Sequence, residues 1–535
     1  MLYKLLYLIN KKNKNNILNF RFAPEPSGYI HLGHIKSLYL NYLLKKKING
    51  NLILRFDDTN PKKSKIKYVK HIIKYLNKTN IKFNKITYAS DYFNLLYKYA
   101  ISLIKNNLAY IDFKYKNIHK YKKDIYNKYR KISINKNLYY FNKMKNGIYK
   151  KNKCVLRAKI KKKYHNNILL KDPIMYRIIY NKHYKTKNNW CIYPTYDWAH
   201  GLCDLIENIS YSLCSQEFEP HKLLYNWYIK KVNKYYYNNK QIIIPKQYEY
   251  SRLNINYNIL SKRKIRFLIK KKKIKSWKDP RLLTLKNLIN RGYNINIIFK
   301  FLKKIGYSKR YVNINFNLLN NLFKNNIDNK SIIIMTIIKP IKIILLNINN
   351  KKIIKYNVFF LKKKKKYVKI FLKNKIYISS KDFSFKKKKN FYGLFFNKYI
   401  RLKNLGIIKI IKIKYNFKLK KINKIYCYLY KNFNKYKNIK STLQWVSNIN
   451  KYKISCYYIN NNIFYKKNIE NININKIHKF FNKNSLKKKI FYTNYNKFNK
   501  KNNIYQFQRI GYYYYNNKKK IFYNIFDFKK KKIYK

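Results

Sequence analysis

The segment RFAPEPSGYIHLGHIKS (21–37) decides the fold, because a short strand and a helix meet in it. Residues 19–23 are apolar enough for a strand, and two prolines end it. The stretch IKSLYLNYLL, after His34, has the pattern of a helix. The chain has only 10 glycines, so Gly28 and Gly33 in one turn point to a close backbone approach or a positive φ. A strand, a glycine-containing turn and a helix in this order aim backbone N–H groups at an anion.

The next elements repeat this alternation of strand and helix. Residues 52–56 are predicted to form a second strand that ends at the acidic pair Asp57 and Asp58. Asp91 is expected to open a helix, because apolar residues follow it at helical spacing. These apolar residues are Phe93, Leu96, Tyr97, Ala100, Ile101 and Ile104. Alternating strands and helices predict a parallel α/β sheet.

The pattern changes twice further along the chain. From about residue 114 it becomes irregular and rich in Lys and Tyr, which suggests an inserted domain. Two short helical patterns then end at Gly292 and Gly306, which are expected to be C-caps. Beyond about residue 330 the period is two: Ile411, Ile413, Tyr415, Phe417 and Leu419 alternate with Lys or Asn. This alternation predicts half-buried strands with a basic face, in antiparallel sheets or barrels.

Composition limits the possible partners. Lys and Arg number 126 and Asp and Glu 18, so the net charge of +108 makes a polyanion the expected partner. No uncharged apolar run approaches the roughly 18 residues needed to span a bilayer, and the first residues lack a signal-peptide cleavage site. The six cysteines lie far apart, which argues against a disulfide scaffold or zinc ribbon and favours a reducing compartment.

The rare residues carry more information than the abundant ones. Lys, Asn, Ile and Tyr share codons rich in A and T, so compositional drift can supply much of the charge. Only 13 residues are Arg, among them Arg21 and Arg55, and Lys cannot replace the planar guanidinium fork. Of the 18 acidic residues, 14 lie at or before Asp279. Chemistry is therefore expected in the first half, and polyanion binding in the second.

Three separated features are suited to chemistry. His31 and His34 lie at the strand-to-helix turn, where imidazoles can donate to phosphate oxygens during attack at phosphorus. The cluster SKRK (261–264) places Lys262 as a mobile charge over a polyphosphate. The segment 192–219 combines three Tyr, one His and five carboxylates, as a small-molecule pocket would. No metal site is predicted, because neither carboxylate nor thiolate has a natural spacing to complete zinc ligation by the two histidines.

HLGH (31–34) followed far downstream by LSKR (260–263) resembles the two signatures of class I aminoacyl-tRNA synthetases. The surrounding segments occur in the order found in glutaminyl-tRNA synthetases, and the likeness continues to QWVS (444–447) and YQFQRIGYYY (505–514). These segments are PEPSGYIHLGHIKS, LRFDDTNP, CVLRAKI, DPIMYRI, WCIYPTYDWAH, QYEYSRLN and SKRK. Ile259 stands where the second signature usually has its first Lys, as is common in glutaminyl enzymes.

The resemblance implies an α/β Rossmann-type catalytic domain with an inserted acceptor-binding domain, a helical subdomain and C-terminal all-β anticodon-binding barrels. The implied divisions are 1–113 and 191–262 for the catalytic halves, 114–190 for the insert, 263–335 for the helical subdomain and 336–535 for the barrels. The implied reaction joins L-glutamine and ATP, with Mg²⁺, into glutaminyl-adenylate and then charges tRNA(Gln). In this family tRNA normally binds before activation. A monomeric, cytoplasmic enzyme without membrane contact is expected.

The family motifs also imply roles for individual residues. The ATP site is expected to contain Glu25, Pro26, Ser27, His31, Leu32, Gly33, His34, Ile35, Lys36, Ser37, Ser215, Arg252, Leu253, Leu260, Ser261 and Lys262. Of these, the catalytic residues should be His31, His34 and Lys262, which stabilise the transition state without acid, base or nucleophile. The glutamine site is expected to contain Asp57, Tyr196, His200, Gln247 and Cys214, with Asp57 on the ammonium group.

Glutamate is the rival substrate, because archaeal/eukaryotic-type glutamyl-tRNA synthetases share these motifs. Those relatives have an Arg where this chain has Cys214, and a neutral thiol cannot pair with a buried carboxylate. Ser37 also favours glutamine, since the glutamyl branch tends to have Ala there. A catalytically inactive RNA-binding relative is the second alternative, and the intact motifs argue against it.

Some positions depart from the family pattern. Pro220, next to Glu219, replaces an Asp used on the acceptor stem, and Ile333 replaces an Arg before the first barrel strand. Of two arginines expected to bind tRNA, Arg401 remains and the other is Lys403. Lys supplies affinity with little base specificity, so looser anticodon reading is expected.

Overall fold

A computed structural model describes most of the chain. It covers residues 17–113, 128–161, 164, 166–240, 243–327, 331–349, 354–361, 366–385, 391–416, 421–431, 439, 441–498 and 504–528. Strands and helices alternate in the first part of these ranges, and strands dominate from residue 331 onward. This order confirms the predicted α/β region followed by an all-β region.

The α/β region begins with parallel strands. Its elements are β1 (Asn19–Phe22), α1 (Leu32–Ile48), β2 (Asn51–Phe56), α2 (Ile66–Leu76), β3 (Lys85–Tyr88), α3 (Phe93–Lys105), β4 (Ala109–Asp112), α4 (Ile134–Lys145), β5 (Val155–Ala158), β6 (Ile174–Ile178), β7 (Ile192–Pro194), α5 (Tyr196–Ile206), β8 (Tyr211–Ser215), α6 (Lys222–Tyr235) and β9 (Lys246–Tyr250). Strands β1, β2 and β3 form one parallel sheet with β2 in the middle, and β8 and β9 form a parallel pair.

The two parallel sheets lie edge to edge through β1 and β8. The Ser210 amide donates to the Asn19 carbonyl at 3.0 Å, and the Arg21 side chain donates to the Leu213 carbonyl at 3.1 Å. Residue numbers increase in the same direction in both contacts, so β1 and β8 run parallel. Their carboxyl ends therefore lie at the same edge of the sheet. Ligands of open α/β sheets bind outside the carboxyl ends of such strands.

An antiparallel sheet of four strands interrupts the parallel region. Its order is β4-β5-β6-β7, and its segments run from Ala109 to Pro194. Its buried face shares one apolar cluster with α3, α4, α5 and α6, which includes Phe141, Met144 and Trp198. Because this cluster is continuous, the four-stranded sheet is packed firmly against the second half of the parallel region.

Short helices follow, and all but the first share one apolar cluster with α1, whereas the first packs against residues 463–481. They are accompanied by one small strand pair, and the elements are β10 (Asn254–Ile255), α7 (Lys262–Lys270), α8 (Leu285–Asn290), α9 (Ile295–Ile305), β11 (Asn313–Ile314) and α10 (Asn317–Ile327). The predicted C-cap Gly306 is confirmed, with a φ of 76°. The prediction for Gly292 is wrong by one residue: α8 is capped by Arg291, and Gly292 follows with a φ of 92°.

Two large sheets form the remainder. Their strands are β12 (Ile332–Ile334), β13 (Thr336–Ile337), β14 (Pro340–Leu345), β15 (Ile354–Leu361), β16 (Lys366–Leu372), β17 (Lys375–Ser379), β18 (Ile400–Leu402), β19 (Gly406–Asn416), β20 (Lys421–Tyr430), β21 (Thr442–Leu443), β22 (Val446–Ser447), β23 (Tyr452–Ile459), β24 (Leu486–Thr493), β25 (Ile504–Phe507), β26 (Gly511–Asn516) and β27 (Ile521–Asp527). The orders are β21-β18-β19-β20-β14-β17-β22 and β13-β24-β23-β27-β26-β25-β12-β15-β16.

These sheets are mixed rather than purely antiparallel as predicted. Long connections bring non-consecutive strands together, so β14 pairs with β20, and β12 with β25, in parallel. The predicted alternation in β19 also fails at one position. The pairing shifts between Ile410 and Lys412, and the extra residue, Ile411, is 43% exposed. Phe417 and Leu419 lie outside the described residues.

Candidate functional site

A cavity of about 380 Å³ opens at the carboxyl ends of β1 and β8. Its lining joins residues that lie far apart in the sequence: Arg21, Phe22, Ala23, His31, Gly33, His34, Ser37, Asp57, Tyr196, His200, Leu213, Cys214, Ser215, Glu217, Phe218, Tyr250, Arg252, Leu253, Leu260, Ser261 and Lys262. A larger cavity of about 700 Å³ lies among α1, α9 and α10, but its lining contains neither His nor acidic side chains. The chemistry therefore belongs to the smaller cavity.

The two histidines cap helix α1. The helix begins at Leu32, earlier than predicted, because His31 has an extended backbone and acts as the N-cap. The Nδ1 atom of His31 accepts from the Gly33 amide at 3.1 Å, and the Nδ1 atom of His34 accepts from the His31 amide at 3.2 Å. Each ring is thereby held by its Nδ1 atom.

The same hydrogen bonds determine what the two rings can donate. Burial, with the nearby charges of Lys262 and Arg252, holds the pKa of both imidazoles well below the usual value, so the rings are neutral. In a neutral ring whose Nδ1 accepts, the proton is on Nε2. His31 and His34 thus offer two Nε2–H donors beside a helix N-terminus, which suits an anion.

Gly28 and Gly33 allow neighbouring side chains to approach the backbone of this turn closely, and neither residue has a positive φ. A Cβ on Gly33 would lie 3.0 Å from the His31 ring, and a Cβ on Gly28 would lie 2.9 Å from the Trp277 ring. Glycine at these positions therefore lets side chains pack directly on the backbone.

Lys262 reaches the cavity from the first turn of α7. Its Nζ atom donates to the main-chain carbonyl of Glu25 at 2.7 Å. Burial lowers the pKa of its ammonium group to about 8, so at neutral pH it is a cation. The side chain of Glu25 accepts a 2.7 Å hydrogen bond from the Ser27 hydroxyl. A phosphate group could replace the Glu25 carbonyl as the partner of Lys262.

Glu470, which the sequence reasoning missed, holds the backbone next to Lys262. Its Oε1 atom accepts from the amides of Leu260 and Ser261, the latter at 3.0 Å, and its Oε2 atom lies 3.5 Å from the Arg252 guanidinium. The Glu470 side chain is 7% exposed. The rarity of acidic residues in the second half of the chain could have pointed to Glu470, because it is the only Glu in the chain after Glu249.

The opposite end of the cavity carries one carboxylate, one guanidinium and several neutral groups. Asp57 accepts from the Nε atom of Arg55 at 3.1 Å, and burial raises the pKa of its carboxyl to about 6. The rings of Tyr196 and His200 stack with centroids 5.0 Å apart. Burial keeps the pKa of Tyr196 well above and that of His200 well below its usual value. At pH 7 these two rings are therefore uncharged.

Arg21 also lines this end, and the sequence reasoning gave it no role. Its guanidinium donates to Asp204 at 3.0 Å, to His200 Nε2 at 2.6 Å, to the Ser212 hydroxyl at 2.7 Å and to a main-chain carbonyl. Burial opposes ionisation of Asp204, but the charges of Arg21 and Arg55 outweigh it and hold the pKa of this carboxyl well below its usual value. Arg21 is thus paired with a carboxylate.

Cys214 lies in β8 and is 6% exposed. Burial raises the pKa of its thiol to about 12, so the side chain is neutral. Gln247, in contrast, does not line the main cavity. It contacts a small adjoining recess behind Tyr196, and its amide donates to the Phe218 carbonyl at 3.0 Å and to Glu249 at 3.2 Å.

The predicted ATP-site residues divide into two groups. His31, Gly33, His34, Ser37, Ser215, Arg252, Leu253, Leu260, Ser261 and Lys262 line the cavity. Glu25, Pro26, Ser27, Leu32, Ile35 and Lys36 do not belong to this lining. Leu32 and Ile35 are fully buried in the apolar core, and the Lys36 ammonium group donates to the Ser251 carbonyl at 2.7 Å. These three side chains therefore lie outside the cavity and stabilise the elements that form it.

Arg401 lies in β18 of the seven-stranded sheet and Lys403 in the turn that follows this strand, both away from the cavity lining. The Arg401 amide donates to the Ser441 carbonyl at 3.2 Å, and the Lys403 carbonyl accepts from the Trp445 indole at 2.8 Å. Burial, with the nearby charge of Arg509, lowers the pKa of Lys403. These contacts hold the backbone on both sides of Leu402.

Three further features concern the described ranges as a whole. No group of three or more His, Cys, Asp and Glu side chains in them is arranged to hold a metal ion. Every helix in these ranges is too short or too polar to cross a membrane. The six cysteines are free, and Cys191 is the one that is not fully buried.

Comparison with known proteins identifies the families that match. The catalytic domain of tRNA synthetases class I (E and Q) matches residues 18–329, and two anti-codon binding domains of the same class match 334–430 and 442–516. A glutamine–tRNA ligase of Buchnera aphidicola subsp. Schizaphis graminum is 45% identical over 358 residues, which cover 65% of this chain and 62% of that relative. One of Clostridioides difficile is 37% identical over 346 residues, covering 64% of this chain and 61% of the relative.

The matched part thus spans about three fifths of these curated relatives, 62% and 61%. Among solved structures, a glutamate-tRNA synthetase from Elizabethkingia anophelis aligns with a TM-score of 0.42 at 15% identity, over 59% of this chain and 72% of that one.

Proposed function

Because the chain belongs to the class I tRNA synthetases for glutamate and glutamine, as the match over residues 18–329 shows, we propose that it is a glutamine–tRNA ligase. One observation carries the proposal: a single cavity joins two neutral Nε2–H donors and a lysine at one end to a carboxylate, an arginine paired with Asp204 and uncharged polar groups at the other. The first end suits the phosphates of ATP, and the second suits an amino acid with an uncharged polar side chain.

The phosphate end stabilises charge without acid–base chemistry. The glutamine carboxylate attacks the α-phosphorus of ATP, and pyrophosphate leaves. The Nε2–H groups of His31 and His34 donate to phosphate oxygens, and the ammonium group of Lys262 balances the charge on the leaving pyrophosphate. A ribose hydroxyl of the terminal adenosine of the tRNA then attacks the carbonyl carbon of the glutaminyl-adenylate, and AMP leaves with the hydroxyl proton. Positioning and electrostatics are sufficient for both steps.

Magnesium would accompany ATP on its phosphate oxygens. The described residues offer no cluster of His, Cys, Asp and Glu that fits a resident metal ion. Mg²⁺ keeps several waters and is commonly bound through substrate phosphates. The chain itself then needs to supply only the His31, His34 and Lys262 groups.

The charges at the amino-acid end favour glutamine over glutamate. Arg21 and Arg55 contribute two positive charges, and Asp57, Asp204 and Glu207 contribute three negative ones through direct contacts. Arg21 is already paired, so a glutamate side chain would enter beside neutral Cys214 and Tyr196. Burial of a carboxylate without a partner is costly, whereas an amide can use the Tyr196 hydroxyl.

The remaining regions are proposed to hold tRNA(Gln). We assign residues 114–190 to the acceptor end and 336–535 to the anticodon, with 1–113, 191–262 and 263–335 as the catalytic halves and helical subdomain. The names of the families that match residues 334–430 and 442–516 support the anticodon assignment. Arg401 and Lys403 are proposed contacts, and the assignment to a monomer in the cytoplasm belongs to the same proposal.

Pyrophosphate exchange tests this function. The full chain is incubated with ATP, Mg²⁺ and labelled pyrophosphate, with and without glutamine and a glutamine tRNA transcript. Label should enter ATP only when both glutamine and tRNA are present. Failure of every combination to exchange label would mean that the chain is an inactive RNA-binding relative.

A further inference from the structure

Asp58, the residue after Asp57, is anchored by groups from two other segments. It is fully buried, and it does not line the cavity. Its Oδ1 atom accepts from the Ser90 amide at 2.9 Å, and its Oδ2 atom accepts from the Ser90 hydroxyl at 2.8 Å and from the Tyr184 hydroxyl at 2.7 Å. All three partners are donors, which an ionised carboxylate accepts well.

The main chain of Asp58 is held as well. The Nε2 atom of His183 lies 2.9 Å from the Asp58 carbonyl. The Nδ1 atom of His183 accepts from the amides of Lys185 and Thr186, at 3.3 and 3.2 Å, which leaves the ring proton on Nε2. His183 is fully buried, so this donation to the carbonyl is shielded from water.

His183 and Tyr184 come from a different unit than Asp58. They lie between β6 and β7 of the four-stranded sheet, whereas Asp58 follows β2 of the parallel sheet. Asp57 is therefore fixed on one side by Arg55 and on the other by a neighbour that the four-stranded sheet anchors.

We propose that Tyr184 and His183 are positioning residues, which set the place of the Asp57 carboxylate by anchoring Asp58. The four-stranded sheet then determines how well the chain holds the ammonium group of its amino acid. This inference rests on the proposed function, in which Asp57 binds that ammonium group. It makes amino-acid affinity depend on the segment proposed to hold the acceptor end of tRNA.

The test is Tyr184→Phe, which removes one hydroxyl and leaves both Ser90 hydrogen bonds to Asp58. Kinetics of tRNA-dependent pyrophosphate exchange are measured on the full chain, varying glutamine and ATP in turn. The KM for glutamine should rise about tenfold to 100-fold, the effect of losing one hydrogen bond to a charged group. The KM for ATP should match the parent, and the thermal midpoint should fall only slightly, because one buried hydrogen bond is lost.

Tyr193→Phe is the matched control. Its hydroxyl donates to the Asn181 carbonyl at 3.2 Å in the same segment and does not contact Asp58. The control should keep the parent KM for glutamine. The inference is overturned if Tyr184→Phe also keeps it, or if both variants raise it equally. A parent chain without glutamine-dependent exchange would instead reject the proposed function itself.

Discussion

The ammonium group of Lys262 donates a 2.7 Å hydrogen bond to the main-chain carbonyl of Glu25. This contact joins the start of α7 to the turn that precedes α1, although the two residues are 237 positions apart in the sequence. It places a half-buried cation at the entrance to the Nε2–H donors of His31 and His34. The proposed adenylation depends on this arrangement.

Replacing Lys262 should affect catalysis more than tRNA binding. Lys262→Ala removes the charge that we propose stabilises the leaving pyrophosphate, so exchange should slow about 100-fold. The affinity for tRNA, measured by filter binding, should stay within about twofold, because one lysine of a strongly basic chain is lost. Lys270→Ala, on an exposed position of the same helix, is the control. An unchanged exchange rate for Lys262→Ala would remove Lys262 from the mechanism.

The pH dependence should report Asp57. Burial raises the pKa of its carboxyl to about 6, so the carboxylate is protonated as the pH falls through that value. A protonated Asp57 cannot pair with an ammonium group, and kcat/KM for glutamine should therefore decline below about pH 6. His200 is not the source, because burial lowers its pKa to about 3.

Asp57→Asn provides the control for this titration. The variant should have a low kcat/KM for glutamine that no longer declines between pH 7 and about pH 5.5. If the parent profile is flat in this range, or if Asp57→Asn keeps the same decline, another group holds the ammonium.

Substitution of Cys214 should change the preference between glutamine and glutamate. Cys214→Arg introduces a cation beside Tyr196, which can pair with a carboxylate. We expect kcat/KM for glutamine to fall at least about tenfold while the ratio of glutamate to glutamine use rises. Cys214→Leu adds volume without charge, so it should lose glutamine activity without favouring glutamate. Equal ratios in the two variants would contradict this assignment of the pocket.

Glu470 should be needed for the geometry of the Leu260–Ser261 backbone. Glu470→Leu leaves two amides without an acceptor, and kcat for exchange should drop about tenfold. Glu470→Gln keeps an oxygen that can accept from both amides, and it should retain most of the activity. Asn471→Ala, which loses the hydrogen bond that the Tyr311 hydroxyl donates to its side chain, is the matched control. Parent kinetics in Glu470→Leu would show that the contact is not used.

Local patterns predicted the fold well where the spacing of apolar residues within one helix or strand determines which of its faces is buried. Helix α3 shows this, since its apolar residues Phe93, Leu96 and Ala100 recur at helical spacing and are buried. The patterns failed where the structure depends on pairing between strands that are distant in the sequence. Neither the bulge at Ile411 nor the parallel pairing of β14 with β20 leaves a local signal, because both depend on which strand lies alongside.

The candidate site shows the same division. Family motifs indicated His31, Asp57, Tyr196 and Lys262, which the cavity does bring together. Motif reasoning placed Gln247 near the substrate amide, and the structure places it in the recess behind Tyr196, where its amide donates to Phe218 and Glu249. It overlooked Glu470, whose role comes from the packing of the C-terminal region against α7, through Phe464 and Ile469. Contacts between distant segments require the folded chain.

Aminoacylation of a glutamine tRNA transcript, with glutamine and with glutamate as competing substrates, tests the central claim most directly. The account predicts charging with glutamine at a kcat/KM about 100-fold or more above that for glutamate, because the pocket offers neutral groups to the side chain. Equal charging with both amino acids, or a preference for glutamate, would contradict it.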